Sequence, residues 1–413
     1  MANILIIGGG VIGVSTAYFL AEKGASVTLI EKGDVAAGSS YGNAGLVCPC
    51  HSVPLPAPGA LTQGVKWLFN PESPFYVKPR LDADLLAWLW RFQSFANRKA
   101  YDRAVPLLRD LMRASLDLYQ TIIERENLAC YFEKSGGLVL YRTAAGLEHG
   151  QKETAVLQNH GLQMELLSGD EVRQMEPLAR PEIVGGIHYQ EDAHLTPHLF
   201  VQGLAQAARA RGVNLLTQTE LLDFTLDGGR ITAVTTTRGT FRPEQLILAA
   251  GVWSSPLARQ LGLKLPMQPA KGYSVTIKRP SPSPQTHLHL GEAKVIATPM
   301  GPYLRFAGTL ELAGYDLSIN RRRVQAILRA VDNYLKGMEE KEIVEIWRGL
   351  RPCSPDGLPY IGRSARVSNL IIAAGHAMLG ISMGPITGQL TAELAAGERP
   401  SLDLAAFDVE RFG

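Results

Sequence analysis

The chain begins with two short apolar runs that flank a glycine-rich turn and a longer apolar segment. Residues 3–7 (NILII) predict a buried parallel strand, 8–13 (GGGVIG) a turn, and 14–23 a buried helix. Residues 26–30 predict a second buried strand, which ends at Glu31. Strand, turn, helix and strand in this order predict a βαβ unit, and therefore an α/β fold with a parallel sheet.

A similar alternation returns in the middle of the chain. Residues 221–236 predict two strands joined by the turn Asp227-Gly228-Gly229. Residues 245–249 predict a strand that meets a small-residue turn at Gly251, and a helix then begins near Ser254. Ligands bind at the carboxyl ends of strands in open parallel sheets. We therefore expect the domain that starts at the N-terminus to resume here after an insertion.

The last apolar strand is predicted at residues 370–374. His376 follows it directly, Gly380 marks a second turn, and a helix is predicted over about 385–396. The N-terminus of that helix carries a positive dipole end that could point at a bound ring. An ordinary strand, turn and helix without a ligand would give the same pattern.

The segments between these units predict a second domain. Residues 64–190 contain aromatic helical faces and a leucine-rich helix from about 104 to 126, and residues 265–345 contain alternating strands. Trp88 and Trp90 could touch a membrane, although packing in the core is the simpler interpretation. The predicted division is a cofactor domain formed by 1–63, 191–264 and 346–413, and a substrate domain formed by 64–190 and 265–345.

Composition narrows the class of protein. The 413 residues carry a formal net charge of +2 and no basic run, which argues against a nucleic-acid partner. The apolar N-terminus lacks a preceding basic segment and is broken by glycines, so we expect no signal sequence and a cytoplasmic location. Cys48 and Cys50 lie next to His51 in CPCH. Because a metal site needs more ligands than this segment supplies, structural thiols are favoured over a metal or redox site.

The turn at Gly8-x-Gly10-x-x-Gly13 has the spacing of a dinucleotide site. The first glycine permits the turn, the second lets the backbone approach a pyrophosphate, and the third lets the helix pack on the strand. Glu31, at the end of the second strand, lies where a ribose-binding acid is expected and would repel a 2′-phosphate. The turn predicts a site for FAD or NAD, but it does not distinguish between the two cofactors. The dipole near residue 385 favours flavin, because it would stabilise a reduced, anionic ring.

Seven motifs in one order resemble the FAD-dependent D-amino-acid oxidase superfamily, most closely its bacterial D-amino-acid and D-hydroxyproline dehydrogenases. They are GGGVIG (8–13), Glu31, GNAGLVCP (42–49), PLPAPG (54–59), KGYSV (271–275), GLRPCSPDGLPYIG (349–362) and GHAMLGISM (375–383). The resemblance covers residues 3 to about 412. It implies a Rossmann-like FAD-binding domain of the D-amino-acid oxidase and glutathione-reductase type, with an inserted antiparallel-sheet substrate domain.

The turn and the resemblance together predict the residues that bind FAD. The loop that matches Ser39 to Leu46 is expected to run along the flavin. The predicted cofactor-binding residues are Gly8, Gly10, Val11, Ile12, Gly13, Glu31, Lys32, Ser39, Ser40, Asn43, Ala44, Gly45, Leu46, Leu221, Gly251, Trp253, Met378, Leu379, Gly380, Ile381 and Ser382. No resident metal is expected.

Oxidising an amino acid at its α carbon needs a flavin face, a fixed carboxylate and an amine that loses its proton. An arginine is the natural carboxylate clamp, since its planar fork fits two oxygens. Arg305 is the first choice for that role, and Arg351 is predicted to contact flavin or substrate. Tyr273 and His376 are the other catalytic candidates. No general base is assigned, because the amine could bind neutral.

The predicted function is FAD-dependent oxidation of a D-amino or D-imino acid, such as cis-4-hydroxy-D-proline, with hydride transfer from the α carbon to flavin N5. Electrons are expected to leave to a quinone or an electron-transfer partner, and peripheral membrane association is possible in that case. Three alternatives stay open. They are a glycine- or sarcosine-type oxidase that releases hydrogen peroxide, a flavin subunit of a heteromeric dehydrogenase, and a flavin-binding sensor without turnover.

Overall fold

A computed structural model describes residues 3–59 and 73–413. The predicted boundary between residues 63 and 64, and the start of the aromatic stretch at 65–72, lie outside the described residues. The described strands are β1 (Asn3–Ile7), β2 (Ser26–Ile30), β3 (Leu46–Val47), β4 (Phe75–Val77), β5 (Gly137–Tyr141), β6 (Met164–Ser168), β7 (Gly185–Tyr189), β8 (Ala193–His194), β9 (Asn214–Leu216), β10 (Leu221–Asp227), β11 (Arg230–Thr236), β12 (Gly239–Phe241), β13 (Gln245–Leu248), β14 (Gln268–Lys278), β15 (His287–Leu290), β16 (Val295–Met300), β17 (Tyr303–Leu312), β18 (Ile343–Cys353), β19 (Tyr360–Arg363) and β20 (Leu370–Ala374).

The described α-helices follow the same chain order, and short 3₁₀ turns lie at Pro49–His51, Gly251–Trp253 and Ala405–Phe407. The α-helices are α1 (Val11–Glu22), α2 (Ala83–Phe95), α3 (Arg98–Glu126), α4 (Ala144–Asn159), α5 (Gly169–Met175), α6 (Pro197–Ala210), α7 (Ser254–Gln260), α8 (Arg321–Tyr334) and α9 (Gly384–Ala395). The predicted strands at 26–30 and 370–374 are confirmed, and the predicted first helix begins three residues earlier, at Val11.

A six-stranded sheet organises the first half of the fold. Its order is β19-β20-β13-β1-β2-β9, and every pair is parallel except β19 with β20. Because β1 lies between β2 and β13, the turns that follow these strands meet at one edge of the sheet. Helices α1, α3, α6 and α9 supply residues to the same buried core on one face.

A nine-stranded sheet forms the second half. Eight strands run in the order β18-β14-β17-β16-β15-β5-β7-β6, and β4 pairs with β17. All pairs are antiparallel except β15 with β5 and β17 with β4. Helix α8 packs on this sheet through Val324, Ile327 and Val331. The predicted fold class, a parallel cofactor sheet with an inserted, mainly antiparallel sheet, is confirmed.

Two elements cross the predicted domain division, which stays a prediction. The predicted division places helix α3 in the substrate domain, but Leu116 and Tyr119 pack in the core beneath the parallel sheet. The Tyr119 hydroxyl donates to the Ile381 carbonyl at 2.7 Å. Strand β18 runs through the 345/346 boundary and pairs with β14 of the antiparallel sheet on both sides of it, from Ile343 to Cys353.

Candidate cofactor and substrate site

The glycine turn lies between β1 and α1. A Cβ on Gly13 would lie 1.9 Å from the Gly8 carbonyl oxygen, so only glycine allows α1 to approach the turn this closely. Gly10 is the N-cap of α1, no side chain caps the helix there, and its first turn carries no acid. The Val11 N–H donates to Ser40 Oγ at 3.0 Å, and Ile12 is buried. An uncapped helix N-terminus beside a serine hydroxyl is suited to a pyrophosphate.

Glu31 lies directly after β2, beside this turn. Its Oε2 accepts a hydrogen bond from the Gly9 N–H at 2.7 Å, and its Oε1 accepts one from the Gly33 N–H at 2.8 Å. The carboxylate is therefore fixed at the edge of the sheet, where a ribose would be held. Lys32 instead forms an exposed ion pair with Glu220 at 2.6 Å.

Two distant loops lie side by side beyond the turn. Asn43 Nδ2 donates to the Met378 carbonyl at 3.4 Å, and Ser382 Oγ donates to the Leu46 carbonyl at 2.8 Å. Asn43 Oδ1 also accepts the Gly45 N–H at 2.9 Å, which shapes its own loop. Loop 39–46 and loop 376–383, both predicted to lie on the flavin side, thus contact each other, and Ala44, Leu379, Gly380 and Ile381 lie within them.

His376 is buried at the start of the second loop. Its Nε2 lies 3.0 Å from Thr387 Oγ1 on α9, and burial lowers the pKa of the imidazole to about 3. The backbone of His376 bridges to Cys353, so the end of β18 lies against this loop. The ring is consequently neutral and held by α9, which suits a positioning role better than proton transfer.

A cavity of about 760 Å³ opens between the two loops and the antiparallel sheet. Its walls are mainly apolar, and they include nine of the predicted site residues. These are Ser39, Asn43, Ala44, Leu46, Tyr273, Arg351, Met378, Leu379 and Ser382. A large apolar cavity with a few polar groups is the usual form of a small-molecule site.

Arg351 is a half-buried cation that lines this cavity. The guanidinium packs over Gly272, where a Cβ would lie 2.2 Å from Nη1, and Nη1 donates to the Thr309 carbonyl at 2.7 Å. Burial lowers its pKa from the ordinary value, although arginine stays charged at neutral pH. Among the described residues Arg351 forms no ion pair with a carboxylate. Its remaining donors are available to a ligand.

Arg305 has a different environment from the one its sequence context suggested. The side chain is 3% exposed, and its Nη1 donates to the carbonyls of Tyr41 and Asn43 at 2.7 and 3.1 Å. Its Nε donates to Thr276 Oγ1 at 3.0 Å, and Nη2 lies 3.9 Å from Glu345. The guanidinium does not line the cavity, and its donors hold loop 39–46 against the sheet.

The ring of Tyr273 lines the cavity, but its hydroxyl points into a buried network. The hydroxyl donates to Glu311 Oε2 at 3.1 Å and accepts the Asn320 N–H at 3.2 Å. Burial raises the pKa of this phenol. Glu311 also pairs with Lys271 at 3.3 Å and with Arg323 at 2.8 Å, and all three side chains are at most 4% exposed.

Sequence reasoning missed the buried network around Glu311. Lys271 lies in the quoted motif KGYSV, yet neither Glu311 nor Arg323 lies near it in sequence. The pairing of Lys271 with Glu311 in the β14–β17 ladder brings them together. Arg323 joins them from helix α8, which packs on the same sheet, so the cluster depends on contacts that are distant in sequence.

Three predicted cofactor contacts lie away from the cavity. Leu221 begins β10 in the three-stranded sheet β10-β11-β12 and packs at the edge of a separate core. Gly251 and Trp253 form the 3₁₀ turn after β13, and the Trp253 side chain is 44% exposed. This turn follows β13 at the same edge of the parallel sheet as Gly8, where a dinucleotide would bind. The contacts of Leu221, Gly251 and Trp253 with the cofactor stay predictions.

A sequence model described as "FAD dependent oxidoreductase" (DAO) matches residues 3–394. The chain belongs to this FAD-dependent oxidoreductase family. It is 33% identical to a D-amino acid dehydrogenase of Granulibacter bethesdensis, with 99% of each chain covered. It is 34% identical to a D-amino acid dehydrogenase of Methylobacterium radiotolerans, with 97% of each covered. The glycine oxidase structure from Geobacillus kaustophilus matches with a TM-score of 0.81 and 25% identity, covering 100% of this chain and 99% of that one.

The family membership confirms the predicted resemblance and FAD as the cofactor. In this FAD-dependent oxidoreductase the uncapped start of α1 and the fixed carboxylate of Glu31 fit the pyrophosphate and the ribose. The loops 39–46 and 376–383 would flank the flavin ring beside the cavity. The predicted enzyme class, an FAD-dependent amino-acid dehydrogenase, agrees with the names of these relatives.

Proposed function

We propose that this chain dehydrogenates a D-amino or D-imino acid, and that Arg351 binds the substrate carboxylate. The observation that carries the proposal is a half-buried guanidinium, without a carboxylate partner among the described residues, in an apolar cavity beside the flavin-side loops. Burial makes an unpaired cation costly, and a substrate carboxylate would neutralise it. The names of the relatives that match nearly the whole chain support the same substrate class.

The residues of the cavity would act mainly by orientation. Arg351 keeps Nη1 on the Thr309 carbonyl, which fixes the guanidinium plane so that its other donors can grip two carboxylate oxygens. The apolar walls exclude water from the α carbon. FAD, when bound, supplies the hydride acceptor. His376 stays neutral on Thr387, so we assign it no proton transfer, and the substrate amine enters in its neutral form.

The test is anaerobic reduction of the bound flavin by a panel of amino acids. The panel comprises D-proline, cis-4-hydroxy-D-proline, D-alanine, glycine, sarcosine and L-proline. We expect rapid bleaching by a D-imino or D-amino acid and none by L-proline. Bleaching by the L-isomer alone, or by none of the panel, would contradict the proposal, and the second result would favour the sensor alternative.

A glycine-type oxidase is the second candidate, favoured by the fold shared with the Geobacillus kaustophilus glycine oxidase. We propose instead that electrons pass to a quinone or an electron-transfer partner. Readmitting air to the reduced protein separates the two. Slow reoxidation in air and fast reoxidation by a soluble quinone would support the dehydrogenase, whereas fast reoxidation in air with hydrogen peroxide would support the oxidase.

We also propose that the protein is cytoplasmic and contacts the inner face of the membrane peripherally. No described helix has the length and apolar character needed to cross a bilayer. The two tryptophans of helix α2 differ in exposure. Trp88 is buried and its indole N–H donates to the Cys353 carbonyl at 2.9 Å, while the Trp90 side chain is 73% exposed. Leu86, 61% exposed, is one helical turn from Trp90 and extends the apolar face.

Trp90→Ser is expected to weaken binding to quinone-containing vesicles by about 10- to 100-fold, since a buried aromatic side chain contributes roughly 1.5–3 kcal/mol. The measurement is cosedimentation together with the rate of quinone reduction on the vesicles. Leu222→Ser is the control. Leu222 is also an exposed apolar side chain, 53% exposed, but it lies on strand β10 and not on helix α2. Equal binding of both variants and the unaltered protein would remove α2 as the contact face.

A further inference from the structure

Cys48, Asp192 and His287 form a buried cluster that the proposed reaction does not use. All three are fully buried, and one ligand atom of each lies within 4.8 Å of the others. Cys48 Sγ is 3.6 Å from His287 Nε2, and His287 Nε2 is 3.9 Å from Asp192 Oδ2. A thiol, a carboxylate and an imidazole are the three side-chain types that bind zinc.

Strand pairing explains why residues so distant in sequence meet. Strand β3 pairs antiparallel with β8, with Val47 opposite Ala193, so the neighbours Cys48 and Asp192 lie side by side. His287 begins β15, opposite Gly137 on β5. A Cβ on Gly137 would lie 2.0 Å from His287 Nε2, so this glycine makes room for the ring.

The carboxylate of Asp192 is incompletely satisfied without a further partner. Its Oδ1 accepts the Cys50 N–H at 3.0 Å, whereas its buried Oδ2 makes no hydrogen bond. No lysine or arginine among the described residues forms an ion pair with it. Buried carboxylates are normally paired or bound to a metal, because an isolated one is costly. Oδ2 is the oxygen on the His287 side of the cluster.

The distances suit a small tetrahedral ion. Bond lengths of about 2.3 Å for Zn–S and 2.0–2.1 Å for Zn–N place the two ligand atoms about 3.6 Å apart. The Cys48–His287 separation already has this value. The His287–Asp192 distance of 3.9 Å would shorten by roughly half an ångström in a tetrahedral site.

The cluster borders the cavity and has further imidazoles around it. Cys48 and His51 line the cavity of about 760 Å³ described above. His51 Nε2 and His289 Nε2 are 3.2 Å apart, and the rings of His287 and His289 have centroids 5.2 Å apart. A water or a further side chain from this group could complete the coordination.

We propose that Cys48, Asp192 and His287 bind one divalent cation of the zinc class. The ion would fasten the end of the flavin-side loop to β8 and β15, so its role would be structural. This site departs from the structural thiols that the sequence favoured, because Asp192 and His287 lie far from the CPCH motif in the chain. The proposal does not depend on the substrate, so it stands or falls separately from the proposed reaction.

The test is metal content by inductively coupled plasma mass spectrometry on the FAD-loaded protein, after loading with zinc and removal of loosely bound metal. We expect about one zinc per chain. Cys48→Ser, Asp192→Asn and His287→Gln should each weaken zinc binding at least about tenfold. Cys130→Ser is the matched control, since Cys130 is a buried free cysteine outside the cluster and should leave the zinc content unchanged.

Sulfur coordination is measured independently by zinc X-ray absorption on the unaltered protein, which does not require any variant to fold. A spectrum with one sulfur ligand supports the site. A spectrum with only nitrogen and oxygen ligands overturns it. Zinc content that is negligible in the unaltered protein, or that stays the same when Cys48 or His287 is replaced, also overturns the proposal.

Discussion

Arg351→Lys is expected to lower kcat/KM for the D-amino acid by about 100-fold, and Arg351→Ala by about 1,000-fold. A hydrogen bond to a charged group contributes about 1.5–3 kcal/mol, and removing one partner of a buried charge pair costs roughly 2–5 kcal/mol. Lysine keeps the charge but loses the planar fork and the Thr309 contact that fixes it. The measurement is steady-state kinetics with an artificial acceptor, together with the dissociation constant of a non-reactive carboxylate analogue.

Arg348→Lys is the control for this prediction. Arg348 lies on the same strand β18, but its Nε donates to the Leu317 carbonyl at 3.0 Å and it does not line the cavity. Both variants should retain FAD. If Arg351→Lys changed kcat/KM no more than Arg348→Lys, or if it lost FAD while the remaining holoenzyme bound the analogue normally, Arg351 would not be the carboxylate ligand.

The sequence predicts the cofactor half of this fold well because its signals are local. The strand at 26–30 has its apolar residues at 27, 29 and 30, and the turn at 8–13 has a spacing that few other structures require. Helix α3 shows the limit of such patterns. Its leucine-rich face was recognised, but the sequence does not tell which sheet that face packs on, and Leu116 lies against the cofactor domain.

The two arginines show the same limit within the site. Apolar neighbours and the family resemblance favour both in the sequence, with Arg305 the first choice for the carboxylate. The structure distinguishes them by their partners: Arg305 donates to the carbonyls of Tyr41 and Asn43, while Arg351 reaches the cavity over Gly272. These partners lie far from the arginines in sequence, so the local pattern of apolar and polar residues does not predict them.

The last prediction concerns the turn that carries the cofactor site. Gly13→Ala is expected to weaken FAD binding by about 10- to 100-fold and to lower the melting temperature of the holoenzyme. The added Cβ would lie 1.9 Å from the Gly8 carbonyl oxygen, which is backbone and cannot rotate away. Inserting a methyl group into such a contact costs about 1–3 kcal/mol or more, and it is relieved only if α1 moves away from β1. That movement displaces the helix N-terminus from the pyrophosphate.

Gly38→Ala provides the matched control, because Gly38 lies in the same cofactor segment and a Cβ there meets nothing within 4 Å. The measurement is the flavin-to-protein absorbance ratio after dialysis, followed by titration of the apoprotein with FAD. Circular dichroism checks that Gly13→Ala still folds, so that weak binding is not mistaken for unfolding. If a folded Gly13→Ala bound FAD as tightly as Gly38→Ala, the close contact of α1 with the turn would not be what holds the pyrophosphate site in place. The glycine would then be needed for packing alone, and Glu31 and loop 39–46 would carry the affinity for the cofactor.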